Sequence, residues 1–225
     1  MKKLSDIQDA VVGCTRCTRL VHHREAIART KRRMYMDWDY WGRPIPSFGD
    51  PGARLLIVGL APAAHGANRT GRMFTGDSSA DFLFTTLYEV GFASSPVSCR
   101  RDDGMVLNGA YITAVARCAP PDNKPLRGEL TNCRPYLIDE LSALTKVEVV
   151  IALGKIAFDV LLSIYRDAGL GVPSPSPKFG HGASYELTDV TLMASYHPSR
   201  QNTQTGRLTQ GMFSDVFYRA QELLS

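Results

Sequence analysis

Four of the five cysteines fall where thiolates could act together. Cys14 and Cys17 form a Cys-x-x-Cys pair in a polar stretch, Cys118 follows an apolar segment, and Cys133 stands two residues before Pro135, which reads as the first turn of a helix. Two pairs from different parts of a chain are what a tetrahedral zinc site or a cubane iron-sulfur cluster requires, because thiolate ligands fix geometry and make metal binding part of folding. Spacing alone does not choose between zinc and iron-sulfur. The plain alternative is that Cys118 and Cys133 are packed thiols and the Cys14/Cys17 pair is chance. Cys99 has no near partner in the sequence and reads as a packed residue.

Two further stretches could do chemistry. Gly59 to Phe82, GLAPAAHGANRTGRMFTGDSSADF, leaves an apolar segment through a Gly/Pro turn and enters a helix near Asp77 and Ser78, both good N-caps. The amides of such a turn and of a helix start favour an anion. Within it, Gly66 to Met73 nearly matches a phosphate-binding P-loop, but Arg72 and Met73 replace the lysine and hydroxyl that contact phosphate and magnesium, which argues against an NTPase. Ser195 to Thr209, SYHPSRQNTQTGRLT, carries His197, Ser199, Arg200, Asn202 and Arg207 with almost no apolar residue. A loop of that composition does not serve a core, and a histidine at a strand's carboxyl end beside serine and arginine suits an anionic substrate.

The elements that must position these residues are legible as four apolar segments of strand length: Leu55 to Leu60, Tyr111 to Ala116, Val147 to Leu153 and Val190 to Ser195. They are continuous rather than alternating, as parallel strands covered on both faces are, and helical patterns separate them at Ala80 to Val90, Tyr136 to Leu144, Ile156 to Arg166 and Phe213 to Leu224. Each strand ends in glycine, proline or polar residues, and in an open parallel sheet those ends converge on a ligand. The aromatic, proline-rich Trp38 to Gly52 reads as an ordered extended arm, and Gly169 to Gly182 as a surface loop. With 225 residues, 44% hydrophobic and 21% charged, one globular α/β domain over 1–225 is expected, and a disordered chain is excluded. The net charge of +4 fits an anionic partner without proving one. No run approaches a membrane span, and the first residues lack a signal peptide's apolar stretch, so a cytoplasmic protein without a membrane partner is expected.

These residues resemble a known family. YWGRPIPSFGDP, GLAPAAHGANRTGRMFTGDSS, RCAPPDNKP with the four cysteines, and HPSRQNTQTGRLT are together similar to the family 5, type b, uracil-DNA glycosylases of bacteria and archaea. The resemblance implies a three-layer α/β/α fold with a central four-stranded, mostly parallel sheet. It implies a structural [4Fe-4S] cluster on Cys14, Cys17, Cys118 and Cys133, two of them supplied by the N-terminal segment 1–52. It implies a monofunctional hydrolase that acts as a monomer on DNA carrying uracil or other deaminated bases, double-stranded with single strands left open, and starts base excision repair in the cytoplasm.

By the same resemblance, Ser199 and Arg200 would grip the DNA backbone, Arg207 would lie near it, and Phe74 would stack on the flipped base. Breaking the N-glycosidic bond leaves an oxocarbenium-like sugar and a base anion, so donors belong where negative charge develops. His197 and the amides around Ala61, Ala63 and Ala64 are the candidates. Sister families carry Asp, Asn or Glu near the start of the first motif, where this chain has Leu60 and Ala61, neither a proton acceptor. Asp77 is the substitute expected to act on water, with plain N-capping as its alternative. Sister families also place an Asn near Ala114 to read uracil; here Asn123 is the candidate, with a turn-forming role as its alternative. Loose discrimination among uracil, hypoxanthine, xanthine and damaged pyrimidines is then expected. The competing function is a module that recognises damaged or single-stranded DNA without cleaving it, and a redox protein using Cys14 and Cys17 as reactive thiols is a weaker third reading.

Overall fold

The computed structural model describes residues 2–225. In chain order, helices α1 (Leu4–Val12) and α2 (Thr18–Thr30) lead into the short edge strand β1 (Phe48–Gly49) and strand β2 (Leu55–Gly59). Then come α3 (Ala67–Thr70), α4 (Ser78–Glu89), β3 (Ala110–Ala114), α5 (Arg127–Ala143), β4 (Val149–Leu153) and α6 (Lys155–Asp167). The chain closes with β5 (Ser184–Glu186), β6 (Thr191–Ser195), α7 (Arg200–Gln204) and α8 (Gln210–Leu223).

The sheet runs β1-β3-β2-β4-β6-β5. The four expected strands are its parallel centre: Leu55 pairs with Ala110 on one side and Val149 on the other, and Val149 pairs with Thr191. The expected count of four is corrected to six, because β1 and β5 pair antiparallel on the two edges. Both are two or three residues long with partly exposed side chains, too short for a periodicity signal.

Strand alternation decides which residues face which layer. Leu55 and Ile57 of β2 point with Ile112, Val149 and Ile151 towards Leu83, Phe84 and Leu87 of α4 and Phe213, Val216 and Phe217 of α8. Leu56, Val58 and Val150 point the other way, against Leu137 of α5 and Phe158, Leu161 and Leu162 of α6. Two apolar clusters with the sheet between them make the α/β/α layering. The chain winds from β2 outward to β3 and then back past β2 to β4, so the direction of winding reverses beside β2, and that reversal is where such sheets open a crevice at their carboxyl ends.

Helix α5 starts nine residues before the expected Tyr136. The amide of Leu126 donates to Glu129 Oε2 at 2.7 Å, which satisfies a donor at the helix start and lets the helix begin at Arg127. Pro135 is therefore inside the helix rather than in its first turn, a correction to the sequence reading, and it removes the amide that would otherwise donate to the Thr131 carbonyl. The arm from Trp38 to Gly52 is ordered: Ile45 and Ser47 are buried, Ile45 N–H donates to Arg117 O at 2.8 Å, and the arm ends in β1. Gly169 to Gly182 has no helix or strand, as expected. No helix among the described residues is long and apolar enough to cross a membrane.

Candidate active site

A cavity of about 560 Å³ opens at the carboxyl ends of β2, β3 and β6. Leu60, Ala61 and Ala63 after β2, Ala114 at the end of β3 and His197 after β6 form its walls, with Phe74, Asp77, Ser78 and Ser79. Asp122, Asn123 and Lys124 and the group Ser199, Arg200 and Gln201 stand at its exposed mouth.

Asp77 has two oxygens in two situations. Its Oδ1 accepts from the Ser79 and Ala80 amides, both at 3.0 Å, and so caps α4. Its Oδ2 lies against Gly66 so closely that a Cβ on residue 66 would sit 1.9 Å away, contact that only glycine allows. Burial pushes the carboxyl above the usual range, while the two amides and the Arg69 guanidinium oppose that push. One side chain thus both caps α4 and lines the cavity.

His197 is held from behind: its carbonyl accepts from Ser199 N–H at 2.8 Å and from Asn202 Nδ2 at 2.9 Å. Its ring stacks on Phe74, centroids 5.9 Å apart and planes 29° apart, and burial pushes the imidazole down to about 4, so it is neutral near pH 7. Phe74 reaches that position with φ +46, costly for a bulky residue, and its ring edge fills the space where a Cβ of Gly59 would be, 2.9 Å away. The amides of Ala61 and Ala63 have no hydrogen-bond partner among the described residues. Residues carrying a neutral imidazole and unpaired amides thus line one cavity together with a carboxylate, a set of groups that suits charge separation in a bound substrate.

Eight of the residues read from the sequence line this cavity: Ala61, Ala63, Phe74, Asp77, Asn123, His197, Ser199 and Arg200. Ala64 does not line it, because the chain turns there into α3 and its carbonyl is used by Asn68 Nδ2 at 3.4 Å. Arg207 also lies outside the lining, with its guanidinium 4.6 Å over the ring of the half-buried Tyr196. Ser78 was read only as an N-cap, and Ser79, Asp122, Lys124 and Gln201 were missed; each of these four lies beside or within two residues of one that was singled out, the only signal they carry.

The P-loop look-alike folds as α3, and Arg72 is buried in a fork on Asp103, 2.7 Å from each oxygen, with none of its donors turned to a phosphate. His65 is bonded to Tyr40 (3.1 Å), and His181 bridges Met212 O (3.1 Å) and Tyr196 N (3.2 Å). Neither lines the cavity.

On the other side of the β3 end, Cys14, Cys17, Cys118 and Cys133 all line a second, small cavity with Arg24 and Arg117. Arg24 Nη1 stands 3.0 Å from Cys118 Sγ and Asn132 Nδ2 stands 3.4 Å from Cys17 Sγ. Burial pushes the Cys118 thiol up to about 11, and Arg24 opposes it. The Nε of Arg24 and of Arg117 is buried without a partner. Four thiols, two buried cations and N–H donors aimed at sulfur fit an anionic, thiolate-bound group, although no three His, Cys, Asp or Glu among the described residues are arranged to hold a single metal ion. Cys99, read from the sequence as packed, is exposed in the loop that Asp103 pins by accepting from the Cys99 and Arg100 amides.

A model of the uracil DNA glycosylase superfamily matches residues 46–221. The chain is 49% identical over 214 residues to a protein of Thermus thermophilus named type-5 uracil-DNA glycosylase, covering 95% of this chain and 94% of the relative. A protein of the same name from Mycobacterium tuberculosis is 48% identical over 222 residues, 98% of this chain and 81% of the relative. One from Pyrobaculum aerophilum is 45% identical over 215 residues, covering 96% and 91%.

Proposed function

Because the chain belongs to the uracil-DNA glycosylase superfamily, we propose that it is itself a uracil-DNA glycosylase, a hydrolase that flips uracil from DNA and cuts its N-glycosidic bond. The observation that carries this reading is one cavity lined both by Asp77, whose Oδ2 takes no part in capping α4, and by His197, neutral near pH 7. Flipping costs a few kcal/mol, and Ser199, Arg200 and Lys124 at the mouth are suited to offset it through phosphate contacts. The Phe74 ring, backed by His197, supplies a stacking surface for the base.

As the C1′–N bond breaks, its electron pair goes to the base. His197 and the Ala61 and Ala63 amides are donors for the oxygen that gains charge. A neutral His197 can donate without being consumed as an acid. Asp77, as carboxylate, opposes the cationic sugar and directs water to C1′; the water oxygen bonds to carbon and its proton leaves through the carboxylate. The base leaves as its anion and takes up a proton from solvent while the carboxylate releases one, so free base and an abasic site result, the start of base excision repair.

The reading extends to other deaminated bases. Ala114 is the wall residue at the end of β3, and a methyl group there cannot reject a wrong base by leaving a donor unpaired. Asn123 stands at the mouth in a turn of two left-handed residues, Asp122 and Asn123, which fits a turn-forming role and leaves its side chain among the lining residues, where an amide contact to the base is proposed.

Cys14, Cys17, Cys118 and Cys133 would hold a [4Fe-4S] cluster, which would supply a cross-link between segment 1–52 and the sheet within one domain of 225 residues. Thiols ranged around a cavity suit a cubane better than one zinc, whose thiolates would crowd to about 3.8 Å from each other given Zn–S bonds of ~2.3 Å.

The test is chromatographic detection of free base released from duplexes carrying single lesions. Uracil released first, with hypoxanthine and xanthine following, is the expected result, and Ala114→Asn should narrow release to uracil. Release of uracil alone by the parent protein would remove the broad-substrate reading, and binding with no release at all would favour a recognition module.

A further inference from the structure

Arg69, on α3, is only 3% exposed, and its guanidinium is used at both ends of one loop. Its Nε donates to His65 O at 2.8 Å and its Nη2 to Gly76 O at 2.7 Å, so a single fork spans residues 65 and 76, the latter adjacent to Asp77. The ring faces of Tyr35 and Trp38 cover it at 3.9 and 4.0 Å. Its Nη1 is buried with no partner, and no carboxylate among the described residues lies within ion-pair distance of it.

Carbonyl oxygens can be tied by a neutral donor. A full charge held out of water, without a counter-ion and with one donor idle, costs more than two carbonyl bonds need. Aromatic faces offset part of that cost but do not give the charge a task. The carboxylate nearest along the chain is that of Asp77, the residue after the carbonyl that Arg69 holds.

We propose that Arg69 is a positioning residue for Asp77, pinning the loop that carries this carboxylate and keeping it ionised in the buried cavity. This inference rests on the reading of Asp77 as the reacting carboxylate. Arg69 acts against the upward push that burial gives Asp77, and Asp81, one turn along α4, adds to that push. The other charged or titratable side chains lining the cavity are His197, Asp122, Lys124 and Arg200.

The single-turnover rate on a uracil duplex, followed against pH, tests it in four full-length proteins: parent, Asp77→Asn, Arg69→Gln and Arg69→Lys. The parent should show an acid limb that Asp77→Asn abolishes with its rate. Arg69→Gln, which keeps a donor and loses the charge, should move that limb to higher pH. Arg69→Lys should leave the limb in place while lowering the plateau. A limb unmoved in Arg69→Gln but absent in Asp77→Asn overturns the role of Arg69 and leaves Asp77 standing. A parent-like rate in Asp77→Asn overturns both. If thermal unfolding shows Arg69→Gln unfolded, Trp38→Leu, which admits water to one face of the guanidinium, should move the limb in the same direction by less, and no movement there overturns the inference.

Discussion

At the scale of single residues, close approach does most to define the site. Oδ2 of Asp77 occupies the space a side chain at residue 66 would need, so Gly66→Ala should displace the carboxylate while α3 and α4 remain folded. A shift of about 1 Å in a reacting group costs on the order of 10²-fold in rate, and a loss of that size in single-turnover cleavage with near-parental DNA affinity is expected. His197 makes a second prediction, on stability. Its folded pKa, about 4, is below the unfolded value of about 6.5, so its contribution is complete above pH 6.5 and is lost as pH falls towards 4. Between pH 7 and pH 5 the parent should lose about 1–2 kcal/mol more than His197→Asn in urea titrations. Equal losses would mean the ring is already solvated. Asp77 and His197 could be read from residue type and position after a strand or before a helix. The task of Arg69 could not: an arginine inside a P-loop look-alike gives no sign that its fork will close on residues 65 and 76, because that depends on Tyr35 and Trp38 arriving from another part of the chain.

At the scale of elements, one side chain serves both a helix and a cavity, and substitutions can separate the two uses. Asp77→Ser keeps a capping oxygen for the Ser79 and Ala80 amides and should unfold within a few tenths of a kcal/mol of the parent, yet lose cleavage. Asp77→Ala should lose cleavage and about 1 kcal/mol of stability besides. A cap-only role predicts the opposite ranking, with Asp77→Ser fully active. The four parallel strands were visible because each is a continuous apolar run buried on both faces, as Leu55 to Gly59 is. The edge strands were not, since Phe48–Gly49 and Ser184–Glu186 are set by their neighbours rather than by a pattern of their own. Pro135 misled the reading of α5, because its frequent place in a first helical turn outweighed the start that Glu129 makes at Leu126.

At the scale of the whole molecule, the polar network beside β3 joins the two cavities. Arg117, which lines the thiol cavity, pairs with the fully buried Glu140, and Thr113 of β3 donates to the same carboxylate at 2.7 Å, one residue before the cavity wall at Ala114. Removing the proposed cross-link should therefore loosen the N-terminal helices first and the cavity wall at Ala114 after them. Cys14→Ala with Cys17→Ala should abolish bound iron and acid-labile sulfide and lower the midpoint of thermal unfolding by several degrees. Stoichiometric zinc with no iron in the parent would contradict the cluster. The four cysteines could be paired from their spacing, but the choice between zinc and iron-sulfur could not, because spacing along the chain does not reveal whether the sulfurs converge on a point or surround a space. The most direct test of the central claim is cleavage itself: the parent protein in excess over an end-labelled duplex carrying one uracil opposite guanine, with alkali afterwards to break abasic sites. Scission at the uracil by the parent and its loss in Asp77→Asn are the predicted results, whereas intact strands despite measurable binding by the parent, or scission undiminished in Asp77→Asn, would contradict it.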